Sequence, residues 1–197
     1  MDLDRSGIVR RLLGTATQLF INDLDPISVH CLASSAAEHA SFLSVQKTGT
    51  AFNDHILATF PERKLKDIRQ LRNRDWNVIK HAKNQSGNPF DVEKELSGFN
   101  DQINDATLFV VWYDFQMSGE PLPLEAQVFQ VWYFELYPEK LNPEHVIEKG
   151  YTQEFPNLPQ LSRSEQKRLL RDKICHFRNN ESLLSHPDTD ERSLVLK

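Results

Sequence analysis

Apolar residues recur along most of this chain at the spacing of an α-helix. Ile8, Leu12, Ala16, Leu19 and Phe20 line one face of a first segment, which stops before the sequence NDLDP. There Asp25 followed by Pro26 offers an N-cap and a proline at the first helical position, so a second helix is predicted to start at that point. It carries Val29, Leu32, Ala33, Ala36, Ala40 and Leu43 on one face, with small residues that let a neighbour approach closely, and residues 47–50 read as its break. Residues 63–83 are predicted as one further helix, whose stripe of Leu65, Ile68, Leu71, Ile79 and Ala82 is interrupted by Arg72. The following NQSGNPFD is a loop.

Two segments, 103–117 and 124–137, both contain Val-Trp-Tyr and are rich in residues that also suit strands, so a β-hairpin competes with a pair of helices. Helices are preferred. Ile103, Ala106, Val110, Tyr113 and Met117 fit a 3.6-residue period, SGEPLP is a stop and restart, and Pro138 closes the second segment at Tyr137. Pro143, Pro156 and Pro159 punctuate a looser stretch before a last helix over 162–180 and a frayed, polar tail. The expectation is an all-α bundle of about five to seven helices. Its core spans 1–160, followed by a C-terminal helix and flexible tail over 161–197, together one domain.

A chain of 197 residues with 39% hydrophobic and 26% charged residues can bury a core without disulfides or metals. Cys31 and Cys175 form no CxxC pair, and neither a metal nor a cofactor is implied. The acidic N-terminus lacks a secretory pattern, and the longest apolar run, 108–113, is too short to cross a bilayer. A cytoplasmic protein with no membrane association is expected. The net charge of -5 is unevenly placed: residues 62–83 hold eight Lys/Arg against three acids, and 162–180 hold six against two. Both stretches with candidate chemistry are therefore locally basic.

The first candidate is RDKICH. Arg171 and His176 differ by 140° around a helix, so only the length of arginine lets them converge, while Asp172 and His176 share a face away from Leu170, Ile174 and Phe177. An imidazole there could take a proton from a ribose 2'-hydroxyl, a guanidinium could grip the phosphate, and Asp172 could orient the ring. The same residues equally form the solvated side of an ordinary helix. The arrangement resembles the HEPN superfamily of helical bundles, in which an Arg, a polar residue and a His follow one another in a late helix. That resemblance implies metal-independent RNA cleavage at the groove of a homodimer, with Arg171, Asp172 and His176 as its catalytic residues.

The second candidate is RNRDWNVIKHAK, which puts Arg74, Asn77 and His81 along one stripe with Lys80 beside it. Such a set could bind a phosphate or carboxylate. Taken with DPISVHCLASSAA at 25–37, NVIKHA resembles a group of uncharacterised bacterial helical proteins that share an Asp-Pro-x-Ser-x-His and an Asn-x-x-Lys-His-Ala segment. The likeness spans most of residues 10–140, brings no activity with it, and implies that His30, Asn77, Lys80 and His81 converge. Alternatively His30 is a satisfied core histidine and Asn77 bridges helices. Three functions follow: RNA binding or cleavage, contact with an acidic protein partner, or a small-molecule anion site at His30, Arg74, Asn77, Lys80 and His81.

Overall fold

In a computed structural model, which describes residues 3–140 and 153–196, the chain is an all-α bundle. Five long helices carry it: α1 (Arg5–Ile21), α2 (Pro26–Thr48), α7 (Ile103–Met117), α8 (Leu124–Leu136) and α9 (Arg163–Phe177). Shorter helices fill the space between them: α3 (Phe52–Thr59), α4 (Leu65–Arg72), α5 (Arg74–Lys80), α6 (Val92–Glu95) and α10 (Glu181–Leu184). Among the described residues no helix is long and apolar enough to cross a membrane.

Asp25 starts α2 as its sequence dictates, its carboxylate accepting the Ile27 and Ser28 backbone N–H groups, with Pro26 at the first helical position. The helix ends at Gly49, whose φ of 79° is the left-handed conformation that a residue without a β-carbon adopts at little cost. Ala33, Ala36 and Ala40 are fully buried, and α2 packs along both α1 and α7. In α7 and α8 the aromatic and β-branched residues sit in the core. Trp112 and Trp132 are both fully buried, and their indole N–H groups donate to Thr17 Oγ1 at 2.9 Å and the Gln166 carbonyl at 3.0 Å. A hydrogen-bonded, buried indole adds apolar area without stranding a donor. The hairpin alternative is excluded, because both segments are helical.

Two expectations give way. Residues 63–83 are not one helix but two, joined at Asn73, with the second ending at Lys80. The first piece packs on α3 and the second on α2, and a straight rod could follow only one of those neighbours. Leu71, assigned to the apolar stripe, is 73% exposed, while Asp75 and Val78 are buried.

The tail is likewise not loose. β2 (Thr189–Asp190) pairs in parallel with β1 (Leu122–Pro123), and Asp190 and Leu194 are buried. The fully buried Arg10 of α1 holds this segment, donating from Nε to Asp190 Oδ2 at 2.6 Å and from Nη1 to the Leu194 carbonyl at 2.8 Å. Gly14, one turn on, leaves room for that carbonyl: a Cβ there would lie 2.0 Å from the Leu194 oxygen. Pro156 and Pro159 lie around a short 3-10 turn (Leu158–Gln160), and Pro143 lies outside the described residues.

Candidate functional site

The residues singled out from the sequence are distributed over three places. In α9 the Arg171 guanidinium donates to the Ile21 carbonyl at 2.7 Å and so caps the C-terminus of α1. Asp172 accepts from Arg168 at 3.0 Å, an exposed pair one helical turn apart, instead of orienting the histidine. His176 is exposed, its ring lying edge-on to its neighbour Phe177.

His30 is 1% exposed in the interior of the bundle. Its Nδ1 lies 3.1 Å from Asn104 Oδ1, Asn104 in turn donates to the Pro26 carbonyl, and Phe99 meets the ring edge-on. Burial pushes the imidazole below its ordinary pKa, against the pull of Asn104 and of Asp75, so it is held neutral. Its Nε2 has no hydrogen-bond partner among the described residues.

The remaining four lie on α5 and its end. Arg74 is engaged by the buried Asp75 at 2.8 Å, Asn77 and His81 are exposed, and Lys80 stands 5.6 Å from the Trp76 ring centre. His30 is buried and His81 exposed, so the two histidines occupy different environments.

A cleft lies next to this last group, and its key residues were not assigned from the sequence. It has a volume of about 520 Å³, within the range of small-molecule pockets. One wall is a helical stripe of α2, running from Ser34 through Glu38 and Phe42 to Val45 at spacings of three and four. The other is Arg69, Arg72, Asn73 and Trp76, which keep the same spacing across the α4–α5 bend. Asn53 of α3 lies between them. The α2 wall is a second face of that helix, beside the one that Ala33, Ala36 and Ala40 bury in the core.

On the α4–α5 wall of this cleft, several hydrogen-bond donors have no partner among the described residues. Arg72 uses Nη1 on Asn53 Oδ1 at 2.7 Å, which leaves Nε and Nη2 uncommitted and the Asn53 amide nitrogen without an acceptor among the described residues. Arg69 and the Trp76 indole N–H likewise make no hydrogen bond there. Burial lowers the Arg72 pKa, Asp114 raises it, and the neighbouring Arg69 lowers it again, so the two guanidinium groups feel each other's charge. At the rim, the Arg5 guanidinium stacks 4.0 Å from the Phe42 ring centre. Asp114 stands behind Arg72 in α7, 1% exposed, accepting the Phe52 N–H at 2.7 Å. Burial pushes its carboxyl up to about 6, despite that hydrogen bond and the charges of Arg72 and His55.

In a second cluster, which runs from the interior to the surface, every charged group is paired. Arg163 donates to both oxygens of Asp105 at 2.6 and 3.0 Å and to Asp101 at 2.8 Å, and the fully buried Lys167 pairs with Asp23 at 2.9 Å and Asp101 at 2.8 Å. Tyr137 donates its hydroxyl to Asp105 at 2.8 Å. Burial drives Asp105 upward against the pull of Arg163. With each charge answered, this network ties α9 to α7, to the end of α8 and to the turn after α1. Among the described residues no group of three or more His, Cys, Asp or Glu is placed to hold a metal ion.

The chain matches no family model, no curated protein and no solved structure. Its class is an all-helical bundle with a donor-rich cleft on one side. The one signal of that cleft in the sequence was Arg72, which breaks an otherwise apolar stripe.

Proposed function

We propose that this protein binds an organic anion in the cleft between α2 and the α3–α5 wall. The observation that carries the reading is the set of uncommitted donors on Arg69, Arg72, Asn53 and Trp76, gathered around one concavity. A partly desolvated guanidinium such as that of Arg72 binds carboxylate or phosphate through charge-assisted hydrogen bonds about twice as strong as neutral ones. An anion placed there also relieves the repulsion between Arg69 and Arg72. Of the anion-binding set expected from the sequence, Lys80 contacts a cleft residue, its ammonium lying 5.6 Å from the Trp76 ring centre.

The test is a titration with inorganic phosphate at constant ionic strength, read by thermal unfolding. Saturation to 100 times Kd stabilises the fold by about 2.7 kcal/mol, or about 5 to 10 °C in a chain of this size. Arg69→Gln and Arg72→Gln should each weaken that response. Arg69 is exposed, so its variant leaves the core untouched. A phosphate response equal in wild type and Arg69→Gln refutes the proposal.

A further inference from the structure

Resting on that anion reading, we infer that the ligand is a planar aromatic anion, its ring lying against Trp76 and its phosphate or carboxylate on Arg69 and Arg72. Trp76 is the exception among the three tryptophans. Trp112 and Trp132 are wholly buried with their N–H groups satisfied, whereas Trp76 is partly exposed, makes no hydrogen bond among the described residues, and lines the cleft. Lys80 stands 5.6 Å over one face of this indole, and the other face is a stacking platform that flat rings of many kinds can use, because every such ring has a π-face.

Both guanidinium groups belong to α4 and the indole to α5, so the ring and the anionic group of one ligand are joined by a short linker across the bend at Asn73. The opposite wall divides in the same manner. Phe42 and Val45 offer apolar contact, while Glu38 and the hydroxyls of Ser34 and Ser41 offer acceptors. A bare hydrocarbon ring leaves those acceptors unused. A heteroaromatic ring, or a sugar attached to it, supplies N–H and O–H groups that meet them. The class is therefore a nucleoside monophosphate or a heteroaryl carboxylate of similar length.

Four probes decide between the two sources and test the ring itself: adenosine monophosphate with its ringless control ribose 5-phosphate, and indole-3-propionate with its control propionate. Affinities are measured by calorimetry on wild type, Trp76→Leu, Trp76→Phe and Arg69→Gln, each checked for an unchanged circular dichroism spectrum. The expected result is that one ring-bearing probe binds between about fivefold and a hundredfold more tightly than its control. That ratio falls toward one in Trp76→Leu and is largely kept in Trp76→Phe. Equal affinities within both pairs, with binding still lost in Arg69→Gln, overturn the aromatic class and leave the anion site standing. No binding by any probe, or binding indifferent to Arg69→Gln, overturns both.

Discussion

Replacing Asp114 by Asn should stabilise this protein at neutral pH, although it removes a negative charge next to an arginine. The Asp114 carboxyl titrates at about 6 in the fold against 3.8 when free, because burial penalises the ionised form by more than Arg72, His55 and the Phe52 N–H recover. At about 1.4 kcal/mol per tenfold change in proton affinity, the fold binds that proton about 3 kcal/mol more tightly than the unfolded chain does. The favourable contribution is complete below pH 3.8 and is lost as the pH rises through about 6, so at pH 8 the ionised side chain costs that much. An Asn keeps an oxygen for the Phe52 N–H but turns an amide toward Arg72, which reduces the expected gain to about 1 to 3 kcal/mol. Urea unfolding of wild type and Asp114→Asn at half-unit steps from pH 4 to 8 should show the two curves together at the acid end and separating through pH 6. If the variant is the weaker protein at pH 8, Arg72 gains more from that carboxylate than burial costs, and the electrostatic account of the cleft floor is wrong. Asp114→Asn also removes a negative charge that Arg72 feels, so it should tighten phosphate binding.

Three further perturbations read other parts of the fold. Asp190→Ala leaves the buried Arg10 without its carboxylate and should lower stability by about 3 to 5 kcal/mol in denaturant unfolding. Gly14→Ala forces a methyl group onto the Leu194 carbonyl and should cost about 1 to 3 kcal/mol, with faster hydrogen exchange at the Leu122 N–H, which pairs with the Asp188 carbonyl. Arg171→Ala removes the cap on the Ile21 carbonyl at a cost of about 1 kcal/mol, whereas His176→Ala should stay within about 0.5 kcal/mol of wild type. The same two variants test the HEPN-like reading: if wild type cleaves mixed RNA in the presence of chelator and both variants fail to, the Arg171 and His176 pair is catalytic whatever its resting contacts.

The architecture was readable where its causes are local. Spacing of apolar residues located α1, α2, α7, α8 and α9, and Asp25-Pro26 fixed the start of α2, because caps and periodicity act within a turn or two. The bend at Asn73 left no mark of that kind. Neither glycine nor proline occurs there, and the cause is the position of two different neighbours, α3 and α2. The docking of residues 189–194 was hidden for the same reason, since a mostly polar segment just after Pro187 looks loose until Arg10 is seen beside it. At the site, helical spacing put Arg74, Asn77 and His81 on one stripe. It gave no sign that the groups lining a cavity would be the interleaved Arg69, Arg72 and Trp76. Those three become a set only opposite the second face of α2, whose Phe42 and Val45 fall outside its core-facing stripe.

The clasp between Arg10 and Asp190 spans 180 positions of sequence, and this separation sets an order on events. A growing chain exposes α1 long before its anchor residues have been synthesised, so through most of translation Arg10 must be hydrated or find a stand-in partner. Contacts that distant also slow the final closure, since the entropy of joining the two regions is lost before any of the contact energy returns. Any packing of α1 that precedes the synthesis of residues 189–194 leaves the space beside Gly14 unfilled.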